Sequence, residues 1–192
     1  MALPVKFIFI KKITHGWRWA IVVLYTSALY TFLPFGPRFW KAVSYQFGNS
    51  SNYLGLFFTC FLGACFLVYL VFQKQERRAS VYVSFFLISL ICLLELKYLC
   101  VTGAERFHVL MYGILACVVF WAFKLSIKNK TIYIYTTILS CFLGVVDEAI
   151  QDFLPMRFFD MKDILMNCLS CGMGTLFILF VLRPELNHQK EG

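Results

Sequence analysis

Asp147-Glu148-Ala149-Ile150-Gln151-Asp152-Phe153-Leu154-Pro155-Met156-Arg157-Phe158-Phe159-Asp160-Met161-Lys162-Asp163-Ile164-Leu165-Met166-Asn167 is the stretch on which the reading of this chain turns. Five of the ten acidic residues fall here, between Asp147 and Asp163. The sequence on either side is almost uninterruptedly apolar. Carboxylates beside hydrocarbon-length segments are costly, so they are neutralised, hydrated or put to use.

Outward from that stretch, the chain has 192 residues, 60% of them apolar and 15% charged. Apolar runs of about 20 residues, the length that crosses roughly 30 Å of hydrocarbon as a helix, recur along its whole length. The composition excludes a soluble domain of this size and predicts an all-α, polytopic transmembrane bundle. The spans fall at about 17–35, 54–72, 81–99, 107–125, 132–150 and 164–182. A five-span version, with one of the six lying in the interface, stays open. The N-terminal run reads as a retained helix rather than a signal peptide: it is longer than a usual h-region and its end is a poor cleavage site. Residues 36–52 read as a loop whose mixed basic and aromatic residues (Arg38, Trp40, Lys41, Tyr45) suit the headgroup layer, and 49–53 as a turn. The whole chain, 1–192, is expected to form one membrane domain.

Alternating the spans from a cytoplasmic N-terminus places 12 of the 18 basic residues inside, and this bias predicts both termini in the cytoplasm. The net charge of +8 then reflects anchoring at an anionic leaflet rather than nucleic-acid binding. Acidic residues follow the opposite course, Glu95, Glu105, Asp147, Glu148, Asp152, Asp160 and Asp163 all falling on the outer side. Glu105, His108 and Tyr112 share one face of the fourth span, Gly144, Glu148 and Gln151 one face of the fifth. Asp160, Asp163, Asn167, Ser170 and Gly174 repeat at 3, 4, 3 and 4 in the sixth. Three helix ends can thus converge on one polar pocket. The plain alternative for Asp160 and Asp163 is service at a helix N-terminus.

Glu105-Arg106-x-His108-x-x-x-Tyr112-Gly113, followed by Asp147-Glu148-x-x-Gln151-x-Phe153-x-Pro155-x-Arg157-x-x-Asp160-x-x-Asp163-x-x-x-Asn167, resembles the signature of the VanZ-like membrane proteins, with the resemblance covering about 105–174. Two positions depart from it: Met111 stands where many members carry Glu before the Tyr, and Ser170 where Gly is usual. The resemblance implies a multi-pass protein of the bacterial plasma membrane, with its motif pocket on the extracytoplasmic side. It also implies a part in glycopeptide (teicoplanin) resistance or cell-envelope modification, with a lipid-linked wall precursor or the glycopeptide itself as partner besides membrane lipids.

Three uses of the pocket stay open. In the first, His108 with Glu148 or Glu105 transfers protons, helped by Asp163, while Arg157 holds an anionic group and Gln151, Tyr112, Asp160 and Asn167 line the substrate side. In the second, Glu105, His108, Glu148, Asp160 and Asp163 hold a divalent cation. A single Glu-x-x-His with scattered acids is a weak metal signal, so a metal cofactor is left undetermined. In the third, the cluster is structural: Arg157 and Arg106 neutralise the acids, and Gln151 and Asn167 bond across helices. A non-enzymatic binding or transport protein is the rival class. The eight cysteines, nearly all inside spans, read as packing residues. His15 and His188 are solitary and flank helices.

Overall fold

The computed structural model describes residues 5–154, 159–183 and 186. Seven α-helices follow one another: α1 (Val5–Phe32), α2 (Gly36–Phe47), α3 (Leu54–Val68), α4 (Ala79–Tyr98), α5 (Gly103–Phe123), α6 (Thr131–Asp152) and α7 (Met161–Phe177). No strand occurs among the described residues. Both α3 and α7 run on into a wider π-turn, at Tyr69–Gln73 and Ile178–Leu182, closed by Lys74 N–H to Tyr69 C=O and Arg183 N–H to Ile178 C=O, each 2.9 Å. Five helical runs among the described residues are long and apolar enough to cross a membrane: Gly36–Gln73, Ala79–Tyr98, Gly103–Phe123, Thr131–Asp152 and Met161–Leu182. The other expected span, at 17–35, falls largely in α1, a helix of 28 residues.

Two boundaries differ from the sequence reading, each for a local reason. The 36–52 segment, read as a loop, is helical through Phe47 and continues as a 3-10 turn, Gly48–Tyr53. Pro37 sits in the first turn of α2, where its missing N–H is not needed, and none of the helix's residues is buried. Such a helix suits the membrane interface. The fourth span begins at Gly103 rather than near 107, because Thr102 caps it. The Thr102 hydroxyl oxygen accepts from Glu105 N–H at 3.3 Å. The Glu105 carboxylate in turn accepts from the Thr102 hydroxyl at 3.1 Å and from Val101 N–H at 2.8 Å. This reciprocal cap puts Glu105 and His108 in the first two turns of α5.

Helix α7 is the hub, lying most extensively against α5 and then against α6 and α4. Small residues set the closest approach. A Cβ built on Gly174 would lie 2.7 Å from the Gly113 carbonyl oxygen and 3.1 Å from Gly113 Cα, so α5 and α7 cross nearly backbone to backbone. Lipid is as apolar as leucine, so dispersion at such contacts, rather than water exclusion, holds membrane helices together. Leu70, Val81, Leu96, Met166 and Val181 fill the α3–α4–α7 interior, and Leu115 and Val119 that between α1 and α5. The outward faces carry large apolar side chains, among them Leu24, Phe57, Phe72 and Phe142, as lipid contact requires.

Basic side chains tie neighbouring helices together. Lys74 Nζ donates to Leu182 C=O at 3.4 Å, Arg183 to Ser80 Oγ at 3.1 Å, and Arg18 to Trp121 C=O at 2.8 Å. In the turn before α4, side-chain and backbone hydrogen bonds from Arg78 hold the Glu76 carboxyl down at about 2, against an ordinary 4.5. A lowered folded value stabilises the turn fully above the unfolded value and loses that contribution as pH falls from about 4.5 towards 2. A carboxyl carbon NMR titration of Glu76 should therefore show a midpoint near 2 in wild type and a return towards the free value in Arg78→Gln.

Candidate functional site

At the end of α6, Asp147, Glu148 and Gln151 are all buried, Glu148 at 0% exposure. The Gln151 amide nitrogen donates to Asp147 Oδ2 at 2.9 Å and to Glu148 Oε1 at 2.7 Å. Its two hydrogens thus serve two neighbouring carboxylates, which a hydroxyl with one hydrogen could not do. The Tyr112 hydroxyl from α5 is also hydrogen-bonded to Asp147. Tyr30 from α1 stands beside the same carboxylate, its own hydroxyl donating to Leu143 C=O at 2.7 Å. Gly144 makes this convergence possible, since a Cβ there would meet Asn167 Cβ at 3.0 Å and the Tyr112 ring at 3.3 Å.

Asn167, fully buried on α7, joins the two neighbouring helices. Its amide nitrogen donates to Gly144 C=O on α6 at 3.3 Å, and its oxygen faces His108 Nδ1 on α5 at 3.3 Å. The Gly144 carbonyl only accepts, so the amide nitrogen must point towards it and the oxygen towards histidine. His108 Nδ1 therefore carries the hydrogen in the neutral ring, and Nε2 keeps its lone pair, the state a general base requires. His108 and Asp163 are both half-buried, and the Asp163 carboxyl feels the charge of the imidazole. The cluster is thus graded, from half-exposed His108 and Asp163 to fully buried Glu148.

The acids at the helix starts have structural duties. Asp160 caps α7, its carboxylate accepting from Lys162 N–H at 2.8 Å, which is the plain reading of that residue. Glu105, besides its part in the α5 cap, takes Lys162 Nζ at 2.8 Å. Three donors, two of them local, hold the carboxylate that shares a helical stripe with His108. The bridge ties the start of α5 to the start of α7 but stays partly exposed, with side-chain exposures of 34% and 20%. Lys162→Met is therefore expected to cost only about 0.5–1 kcal/mol, read as a small fall in the detergent melting temperature.

Arg157, expected to hold an anionic group, and Pro155 lie outside the described residues, as does His188. Among the described residues, no group of three or more His, Cys, Asp and Glu side chains is placed to hold a metal ion. Sequence reasoning missed two partners, Lys162 for Glu105 and Ser170 for Glu95. Glu95, 4% exposed, meets Ser170 Oγ at 3.0 Å across the α4–α7 seam. A carboxylate within Leu93-Leu94-Glu95-Leu96 was a signal in itself, yet its partner lies 75 positions away.

The segment built of these helices has known relatives. Residues 94–182, from the end of α4 through α7, match the model of the VanZ/LLP1 family, so this region of the chain is VanZ-like. An uncharacterised protein of the fission yeast Schizosaccharomyces pombe is similar, 35% identical over 81 residues, covering 41% of this chain and 48% of the relative. The chain thus spans about half the length of that relative. No solved structure matches it.

Proposed function

We propose that this VanZ-like, multi-pass membrane protein modifies an envelope amphiphile, a lipid or lipid-linked wall precursor, at the polar ends of α5, α6 and α7. The observation that carries the reading is the imidazole of His108: its Nδ1 is engaged by Asn167 at 3.3 Å, which leaves Nε2 for proton transfer. His108 accepts a proton from a hydroxyl or water, and Asp163 steadies the imidazolium that forms. Glu148, clamped with Asp147 by Gln151, is the second proton-transfer group, and Tyr112 and Asn167 hold the two halves in register. Arg157, between the end of α6 and the start of α7, takes the anionic headgroup. Glu105 and Asp160 act as positioning residues through Lys162 and the helix caps. The site faces the extracytoplasmic side of the cell membrane, and the basic helix ends face the cytoplasm.

A similar segment in a fission yeast favours a membrane lipid, a class common to all cells, over a precursor confined to bacteria. In a bacterial host, changing the lipid displayed at the surface would alter the response to a glycopeptide such as teicoplanin. A sensitive bacterium expressing the chain should therefore tolerate more teicoplanin. His108→Ala and Glu148→Gln, at matched membrane levels, should return it to the level of the empty host. Equal protection by all three would reduce the cluster to a structural role. A second reading, ligand binding without turnover, is favoured by one observation: the Gln151 amide holds two buried carboxylates on a single nitrogen.

A further inference from the structure

Glu95 lies outside the cluster to which function is assigned above, and among the described residues no side-chain amide donates to it as Gln151 does to Asp147 and Glu148. It is 4% exposed, on the face of α4 turned to α7. Among the described residues no Lys, Arg or His nitrogen lies within ion-pair distance of it. One carboxyl oxygen, Oε1, meets Ser170 Oγ at 3.0 Å, and the other, Oε2, is buried with no hydrogen-bond partner. The titratable neighbours that feel its charge are Cys92 on its own helix, Cys100 just beyond that helix and Cys171 on α7. None of these thiols supplies a compensating positive charge. An ionised carboxylate so placed would carry the full cost of burial without compensation.

The hydrogens at Ser170 point to the answer. Ser170 Oγ lies 2.8 Å from Met166 C=O and 3.0 Å from Glu95 Oε1. A hydroxyl owns one hydrogen, and the Met166 carbonyl can only accept, so the serine hydrogen is spent on its own helix. The contact to Glu95 is then a hydrogen bond only if Glu95 brings the hydrogen: carboxyl O–H to Ser170 Oγ, and Ser170 O–H to Met166 C=O. The residue that departs from the usual glycine of the resembled signature is thus the acceptor this acid needs.

We propose that Glu95 is a membrane-embedded proton-binding site, occupied as the neutral acid, whose hydrogen is held by Ser170 across the α4–α7 seam. Its ligand is the proton, and release requires water or another polar group to enter that seam. Proton occupancy and the closure of α4 on α7 are therefore linked. The inference does not depend on the chemistry assigned to His108.

The test uses the full-length protein in lipid membranes at neutral pH. Its infrared spectrum is expected to contain a protonated-carboxyl band that disappears in Glu95→Gln. This variant mimics the neutral acid in shape, can donate to Ser170, and should melt at the wild-type temperature. Dicyclohexylcarbodiimide should modify Glu95, mapped by peptide mass spectrometry, with at least a tenfold excess over the ionised acid Glu76. In that reaction the carboxyl oxygen bonds to the carbodiimide carbon and the acid hydrogen passes to its nitrogen. The adduct then rearranges to an N-acylurea with nothing leaving. If Glu95→Gln does not fold, Ser170→Gly keeps the acid but removes its acceptor, and the band should remain at higher frequency. Absence of both the band and the Glu95 adduct overturns the proposal. So does protection from the carbodiimide by sodium without a protonated band, which would mean a bound cation instead.

Discussion

Gly174→Leu is expected to yield no folded protein in detergent. At this crossing the added Cβ alone would lie 2.7 Å from the Gly113 carbonyl oxygen, 3.0 Å from Ala116 Cβ and 3.1 Å from Gly113 Cα. Two of those atoms belong to the backbone of α5 and cannot swing aside as a flexible side chain would. Helices α5 and α7 must separate, and each loses the dispersion contacts that hold a bundle together in lipid. Gly174→Ala forces a smaller separation and should cost about 1–3 kcal/mol. Gly172 is the control: nothing lies within 4 Å of a Cβ built there, so Gly172→Ala should melt at or slightly above the wild-type temperature. Size-exclusion profiles and melting curves of the three variants decide the matter. A monodisperse, wild-type-like Gly174→Leu would mean that α5 and α7 do not cross at Gly113 and Gly174.

Gln151→Leu should have the second-largest effect, about 3–5 kcal/mol of destabilisation. Gln151 is the common donor to two buried carboxylates, at 2.9 and 2.7 Å. Leucine keeps the bulk and removes both hydrogens, so two acceptors inside the bundle lose the donor they share. Removing one acceptor as well relieves part of that cost: Glu148→Leu with Gln151→Leu should be less destabilised than the sum of the single changes. A double-mutant cycle on melting free energies in detergent measures the coupling, expected at about 0.5–3 kcal/mol. A coupling of zero would detach Gln151 from Glu148.

These residues also show what the sequence made legible. Gly144, Glu148 and Gln151 were placed on one helical face by spacing, and the structure keeps them there because a helix turns the same way wherever it packs. The stripe Asp160, Asp163, Asn167, Ser170, Gly174 was legible too, but its members divide by depth. Asp160 caps the helix, Asn167 bonds across it, and Gly174 makes the crossing. Glu105 was read with His108 and Tyr112, although Thr102 three residues earlier already spelled a reciprocal cap. Local chemistry claimed the carboxylate, and Lys162 completed its coordination from another helix. The segment 36–47 lacked a long apolar run and so read as loop, while its helix is one that a membrane surface, rather than a core, would stabilise. Partners such as Ser170 for Glu95 and Lys162 for Glu105 are separated by 75 and 57 positions. They depend on which helices become neighbours, and no periodicity within a single span records that.

We propose that the polar ends of α5, α6 and α7 carry out proton-transfer chemistry on an envelope amphiphile. The most direct measurement of it is lipid turnover by purified protein in liposomes made from extracted envelope lipids, followed by mass spectrometry. The wild type should convert a lipid species, and correctly folded His108→Ala and Glu148→Gln should do so at least about 100-fold more slowly. Equal conversion by all three proteins, or stoichiometric lipid binding with no product, would contradict it.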